Sequence, residues 1–168
     1  MRKVFLWSVI TAVFLSLVEI TVFSNFPLLP AIPDLVLILV VYVSFMNGSV
    51  AGSSSGFLSG LLLDFISVAP IGLNACVQTI SGFVFGKFTG SFNLDRVVIP
   101  MMMGAFATGL KIASTFFLSL LFGEGVRSYS LFSSVLWYEL LFNCISAPIL
   151  FFIFSRFQTL FIADRASS

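Results

Sequence analysis

Long apolar runs, each ended by proline, glycine or asparagine, fill almost the whole of this chain. A helix needs about 20 apolar residues to cross the hydrocarbon core of a bilayer, and the 168 residues are 59% hydrophobic. Only 9% of them are charged, compared with about 25% in a soluble domain. Six such helices would use about 120 residues and leave only short connections. The sequence therefore predicts an all-α integral membrane protein that forms a single domain over residues 1–168.

The apolar runs and their breakers predict six transmembrane helices. Pro33-Asp34 predicts the start of the second helix, because proline tolerates the first turn and an acid suits the positive end of the helix dipole. That helix ends at a tight turn around Gly48 and is short for a span. Pro148 predicts a kink in the sixth helix. The predicted spans are 4–23, 33–47, 50–66, 72–88, 97–122 and 131–154.

The positively charged residues orient these helices. If the amino terminus is cytoplasmic, six Lys or Arg residues fall on inner segments and only Arg127 falls on an outer loop. An excess of positive charge marks the cytoplasmic side of a membrane protein. We therefore expect both termini to be cytoplasmic. The inner residues are Arg2, Lys3, Lys87, Arg96, Arg156 and Arg165.

Composition also argues against several classes of function. The net charge of +1 provides no basic surface for nucleic acid. The chain has no histidine, and its two cysteines, Cys76 and Cys144, lie too far apart in the sequence for a zinc-ligand motif. Both cysteines lie in apolar segments, so we interpret them as packing residues. We predict no catalytic, metal-binding or cofactor-binding residue.

Polar residues inside the predicted spans mark a candidate site, because a charge at mid-bilayer costs at least about 2.5 to 3.5 kcal/mol. At about 1.5 Å per residue, Lys111 lies roughly 16 Å and Glu139 roughly 12 Å from the outer end of its helix. Asp64 lies near the rim, where we also expect it to cap the helix that restarts near Gly72. The candidate outward polar pocket consists of Glu19, Asp64, Asn74, Gln78, Lys111, Glu139 and Asn143.

Two interpretations of these polar residues stay open. Lys111 and Glu139 lie at similar depth on helices joined by a short loop, so their pairing alone can fix the register of the bundle. The wider set contains more polar groups than one such pair requires, which favours a ligand pocket.

Small residues at every fourth position occur on two of the predicted helices, where they let another helix backbone approach closely. The third helix carries Gly48, Gly52, Gly56 and Gly60, and the fourth carries Gly82, Gly86 and Gly90. This spacing predicts either packing inside the bundle or a face for a partner helix.

Two segments resemble a known family: "PDLVLILVVYVSFMNGSVAG" at 33–52 and "GFLSGLLLDFISVAPIGLNA" at 56–75. The Pro-Asp helix start and the Gly-Leu-Leu-x-Asp ending together resemble the MreD family of bacterial rod shape-determining membrane proteins. The resemblance implies a non-enzymatic scaffold of the elongation complex in the cytoplasmic membrane. It also implies pairing with the transmembrane helix of MreC, and a link from MreB filaments to peptidoglycan synthesis by RodA and its penicillin-binding partner.

The alternative function comes from another class. MreD-like chains resemble, in their six-helix architecture, the substrate-binding subunits of energy-coupling-factor vitamin transporters. Those subunits usually carry Ala-x-x-x-Ala on the first helix, whereas the nearest match here is Ala12-x-x-x-Ser16. An intramembrane enzyme is disfavoured, because the serines of "GSSSG" at 52–56 have no histidine with which to form a Ser-His pair.

Overall fold

The computed structural model describes residues 2–23, 31–67, 70–91, 97–122 and 133–162. All regular elements in these ranges are helical, which confirms the predicted all-α class. Arg96, Arg127 and Arg165, which contributed to the predicted orientation, lie outside the described residues. The elements are α1 (Arg2–Val18), a π-helical turn (Glu19–Phe23), α2 (Leu35–Asn47), α3 (Ser49–Ile66), α4 (Leu73–Gly86), α5 (Val98–Phe122), α6 (Ser134–Arg156) and α7 (Gln158–Phe161).

The helices lie within a few residues of the predicted spans, and local features set the end of α1 and the start of α2. The first helix changes character after Val18, where it widens into the π-helical turn. Asp34 lies just before α2 in a non-helical conformation, and its Oδ1 accepts a hydrogen bond from the Leu37 N–H at 2.8 Å. The predicted Pro-Asp start is therefore confirmed as a side-chain N-cap.

Length separates the helices into two groups. Among the described residues, four helices are long and apolar enough to cross a membrane. α2 and α4 have only 13 and 14 residues, which is about 20 Å at 1.5 Å per residue, against a hydrocarbon core of about 30 Å. The prediction of six spans therefore stays a prediction. The four long helices are Lys3–Thr21, Ser49–Ile66, Val98–Phe122 and Ser134–Arg156.

The short helix α2 is the centre of the bundle. Every residue from Leu35 to Phe45 is buried, and α1, α3, α4, α5 and α6 all contact this helix. A helix that is apolar on all sides belongs in an interior. The neighbouring helices thus cover α2, and its two ends are the places where polar groups can be held.

The carboxyl end of α2 is covered by α7. The ring of Tyr42 packs edge-on against Phe151 of α6 and Phe161 of α7, at centroid distances of 5.2 and 6.0 Å. Asn47, the last residue of α2, donates a hydrogen bond from Nδ2 to the Phe161 carbonyl at 2.6 Å. Aromatic packing and one side-chain amide hydrogen bond therefore hold α7 against the carboxyl end of α2.

The glycine stripe of α3 packs against α4. A Cβ added at Gly60 would lie 2.5 Å from the Ala75 Cα, and one added at Gly52 would lie 2.5 Å from the Gly82 carbonyl oxygen. At Gly56 the added atom would overlap the Gln78 backbone. These approaches are too close for any side chain. Of the two interpretations left open by the spacing, the structure has internal packing at these positions.

Gly48 and Gly90 differ from the other glycines of the two stripes. Their φ angles are +89° and +75°, and no atom lies within 4 Å of a Cβ added to either. Both lie in turns rather than helices, where glycine adopts positive φ without strain. The prediction that these two glycines form part of a helix-packing or partner face stays a prediction. They serve the turns, although the Gly48 backbone still lies against Gly86.

Two further predictions concern residues within α4 and α6. Cys76 and Cys144 are free thiols and are half-buried. Pro148 lies inside α6, which continues on both sides of it. The kink predicted at Pro148 stays a prediction.

Candidate functional site

Lys111 of α5 is the centre of a group of partly buried charges. Its Nζ lies 2.6 Å from Asp34 Oδ2 and 2.7 Å from Glu139 Oε1. The side chains of Lys111, Asp34 and Glu139 are 18%, 13% and 8% exposed. The predicted contact between Lys111 and Glu139 is confirmed. Because Lys111 also binds Asp34, the pair is part of a larger ionic group that joins α2, α5 and α6.

Asp34 and Asn143 extend this group through neutral hydrogen bonds. The backbone N–H of Asp34 donates to Asn143 Oδ1 at 2.7 Å, and Asn143 Nδ2 donates to Thr108 Oγ1 at 2.9 Å. Asn143 and Thr108 are both fully buried. A buried amide requires partners for its oxygen and its nitrogen, and here α2 and α5 supply them to a residue of α6.

Glu19, the first residue of the π-helical turn that follows α1, approaches the same point. Its Oε1 accepts hydrogen bonds from the Leu35 N–H at 2.5 Å and the Val36 N–H at 3.3 Å. The first N–H groups of a helix have no partner within it, and the positive end of the helix dipole favours a carboxylate. Glu19 therefore caps α2 from another helix. We call the group the charge cluster, and it consists of Glu19, Asp34, Thr108, Lys111, Glu139 and Asn143.

The charge cluster holds neighbouring helices together through ion pairs and hydrogen bonds. Each carboxylate accepts hydrogen bonds from the ammonium of Lys111 or from the first backbone N–H groups of α2. Breaking one partner of such a buried group leaves an uncompensated charge. Among the described residues, no three His, Cys, Asp or Glu side chains are placed to hold a metal ion.

Asp64 has a separate function at the start of α4. Its carboxylate accepts hydrogen bonds from the N–H groups of Gly72, Asn74 and Ala75, at 2.8, 2.9 and 3.1 Å. Gly72 has a φ of +98°, which lets the chain turn sharply into the helix. The predicted cap near Gly72 is therefore confirmed. Asp64 is 3% exposed and fastens α3 to α4.

Asn74 and Gln78 also lie on α4, and neither has a described hydrogen bond to the charge cluster. The Asn74 side chain donates a long hydrogen bond of 3.4 Å to Ser67 Oγ. Gln78 is 2% exposed and its Oε1 has no hydrogen-bond partner. The described hydrogen bonds thus place six of the seven predicted pocket residues in two groups, and Gln78 belongs to neither. Glu19, Lys111, Glu139 and Asn143 meet in the charge cluster, whereas Asp64 and Asn74 bond within the α3–α4 connection.

Sequence analysis missed Asp34 and Thr108 as members of the charge cluster. The sequence predicts Asp34 only as part of a helix start. The length of the second helix was the sequence signal that could have indicated a deep position for Asp34. A helix about 10 Å shorter than the hydrocarbon core must begin or end well below the membrane surface. Thr108 lies three residues before Lys111, on the adjoining part of α5.

The fold and the site together define a class: an all-helical membrane protein whose described carboxylates at helix starts and in the charge cluster are held by Lys111 or by backbone N–H groups. The profile of the family described as rod shape-determining protein MreD matches residues 1–161. The chain belongs to the MreD family, which confirms the resemblance found in its sequence, and it is a rod shape-determining membrane protein of that family. No curated protein and no solved structure matches the chain.

Proposed function

We propose that the chain is a non-enzymatic scaffold of the bacterial rod complex. It pairs with the transmembrane helix of MreC, and through MreC it links MreB filaments to peptidoglycan synthesis by RodA and its penicillin-binding partner. Family membership over residues 1–161 is the observation that carries this proposal. The charge cluster supports it. Its hydrogen bonds and ion pairs join the π-helical turn after α1 to α2, α5 and α6, and such a rigid bundle suits a protein that presents a fixed surface to partners.

The proposed topology has six spans and two cytoplasmic termini, in the bacterial inner membrane. The positive residues of the sequence support this orientation. The short helix α2 is compatible with it, since protein rather than lipid surrounds every residue from Leu35 to Phe45. Polar backbone at membrane depth is tolerated where protein covers it, and the start of α2 is covered in this way by Glu19 and Asn143.

Fusions to alkaline phosphatase test the topology. A phosphatase placed after Arg127 should be active, and one placed after Arg165 should be inactive, because the enzyme folds only outside the cytoplasm. The reverse pattern would overturn the proposed orientation.

Complementation and purification test the scaffold itself. Cells depleted of their own MreD should regain rod shape when this chain is expressed together with MreC, and MreC should co-purify with the chain in mild detergent. Rounded cells and an absence of MreC from the purified material, with the chain present in the membrane at normal amounts, would contradict the proposal.

The transporter-subunit alternative has a poor surface for its coupling partner. Ala12 and Ser16 are each 1% exposed, and the Ser16 hydroxyl donates to the Ala12 carbonyl at 2.7 Å. The nearest match to the docking motif therefore faces the interior of the bundle. We accordingly favour the scaffold.

A further inference from the structure

The described charges are separated along the bundle. Three exposed cations lie at helix ends: Lys3 near the start of α1, Lys87 directly after α4, and Arg156 at the end of α6. Among the side chains that the structure describes, every carboxylate lies elsewhere. Three of the carboxylates meet at the start of α2 in the charge cluster, and Asp64 lies in the last turn of α3. Exposed positive charge and carboxylates therefore occupy different parts of the described structure.

Contacts between helices place the three cations around the carboxyl end of α2. The end of α4 lies there, because a Cβ added at Gly86 would lie 2.6 Å from the carbonyl carbon of Gly48, the residue after α2. The end of α6 lies there too, because α7 follows Arg156 after one residue and packs on the carboxyl end of α2. α1 contacts α7, and Val4 in its first turn is buried in the same core as Phe161 of α7. The cations therefore surround one end of the bundle, opposite the charge cluster.

Each of these cations has an exposed aromatic side chain four residues away, towards the middle of its helix. Trp7 is 37%, Phe83 is 48% and Phe152 is 68% exposed. Residues four apart on a helix share a face, and four residues span about 6 Å along the helix axis. The ammonium of Lys87 lies 4.6 Å from the centroid of the Phe83 ring. The same pattern thus occurs on three separate helices, and we call its members the cation–aromatic pairs: Lys3 with Trp7, Lys87 with Phe83, and Arg156 with Phe152.

We propose that the three cation–aromatic pairs are binding sites for acidic phospholipids. The cation of each pair binds the phosphate of the headgroup, and an acyl chain lies along the exposed aromatic ring. Lys and Arg side chains bind phosphate through charge-assisted hydrogen bonds, and positive residues near a membrane surface attract acidic lipids. This inference goes beyond the proposed scaffold and does not depend on the pairing with MreC.

The aromatic member of each pair distinguishes a lipid from other anionic partners. Aromatic side chains are enriched where the hydrocarbon of a bilayer meets its headgroups, and a long cationic side chain places its apolar stem below its charge. Each pair therefore has charge at the membrane surface and apolar surface beneath it, in the same order as a phospholipid. A water-soluble acidic protein would reach the cations and leave the rings uncovered. A second copy of the chain would bring cations of the same depth together, because copies in one membrane are related by an axis along the bilayer normal.

Native mass spectrometry of the full chain in mild detergent tests these sites. The chain is mixed with equal amounts of phosphatidylglycerol and phosphatidylethanolamine that carry the same acyl chains. The wild type should retain phosphatidylglycerol about fivefold better at each site, the preference that one cation near a membrane surface provides. The triple variant Lys3→Gln, Lys87→Gln, Arg156→Gln should retain the two lipids equally. The matched control is the triple variant Lys3→Arg, Lys87→Arg, Arg156→Lys, which keeps every charge and should keep the preference.

Two further measurements separate a lipid site from a site for the headgroup alone. Lys87→Gln by itself should lose the preference at one site only, so the proposal can be tested even if the triple variant does not fold. Soluble glycerol phosphate, which has no acyl chain, should not displace phosphatidylglycerol from the wild type. Equal retention of the two lipids by the wild type, or an undiminished preference in both Gln variants, would overturn the proposal. Displacement of the lipid by glycerol phosphate or by a soluble acidic peptide would also overturn it.

Discussion

The start of α2 and the contact between α3 and α4 hold the bundle together in opposite ways. At the start of α2, the ammonium of Lys111 from α5 lies between the carboxylates of Asp34 and of Glu139 from α6. Between α3 and α4, side chains are absent at Gly56 and Gly60, and backbone lies on backbone. The contact at the start of α2 depends on the charged groups that are present. The contact between α3 and α4 requires that no side-chain atom is added at Gly56 or Gly60.

This difference predicts how each region responds to substitution. A charge contact is sensitive to the loss of one partner, which leaves the other buried and unpaired, and it tolerates replacement of all partners by apolar side chains of similar volume. A backbone contact is sensitive to any added atom, whatever its chemistry. Substitutions in the two regions therefore distinguish stabilisation by ion pairs from stabilisation by close backbone packing.

The largest effect is expected for Lys111→Ala. It leaves Asp34 and Glu139 without their shared cation, at a cost of about 3 to 5 kcal/mol in the free energy of unfolding. Unfolding in mixed detergent micelles measures it. The matched control is Lys87→Ala, because Lys87 is exposed and its ammonium lies 4.6 Å from the centroid of the Phe83 ring, a contact worth about 0.5 to 1 kcal/mol. Equal losses for the two variants would show that the charge cluster contributes no special stability.

Gly60→Ala should come next, with a loss of about 1 to 3 kcal/mol, because the added methyl group would lie 2.5 Å from the Ala75 Cα. Gly109→Ala is the matched control and should have the opposite sign. It adds the same methyl group where no atom lies within 4 Å, and it should stabilise the helix by up to about 1 kcal/mol. If both variants lose stability equally, the close approach of α3 and α4 is wrong.

Asp64→Asn should have a smaller effect, of about 1 to 2 kcal/mol. The amide keeps one oxygen acceptor but loses the charge and the second acceptor, which together serve three backbone N–H groups. Asn74→Ala removes only a side-chain hydrogen bond of 3.4 Å and should change stability by less than about 0.5 kcal/mol. Hydrogen exchange at the amides of Gly72 and Ala75 should accelerate in Asp64→Asn alone. Unchanged exchange there would exclude the cap.

The two regions were not equally predictable from the sequence. The glycine spacing of α3 directly reports close helix approach, but spacing alone left open whether the neighbour was α4 or a partner. Only the positions of the helices decided this, since the choice depends on contacts between separate parts of the chain. The Asp64 cap was predictable because both of its parts lie within 11 residues of each other in the sequence.

The charge cluster was predicted only in part, for the same reason. Lys111 and Glu139 could be paired by depth, as each lies within a long helix whose outer end is readable. Asp34 could not be placed by the same count, because it precedes α2 and the depth of α2 is set by packing rather than by its own length. Lys111 and Asp34 are 77 residues apart, and sequence spacing carries no information about such a contact.

A double-mutant cycle between Lys111 and Asp34 tests most directly whether direct ionic pairing fixes α2 between α5 and α6. Lys111→Met keeps the apolar stem of the side chain, and Asp34→Asn keeps a residue that caps helices well. Unfolding free energies of the wild type, both single variants and the double variant should give a coupling energy of about 1.5 to 3 kcal/mol, with the double variant more stable than the sum of the single losses predicts. Losses that add to within about 0.5 kcal/mol would contradict the pairing.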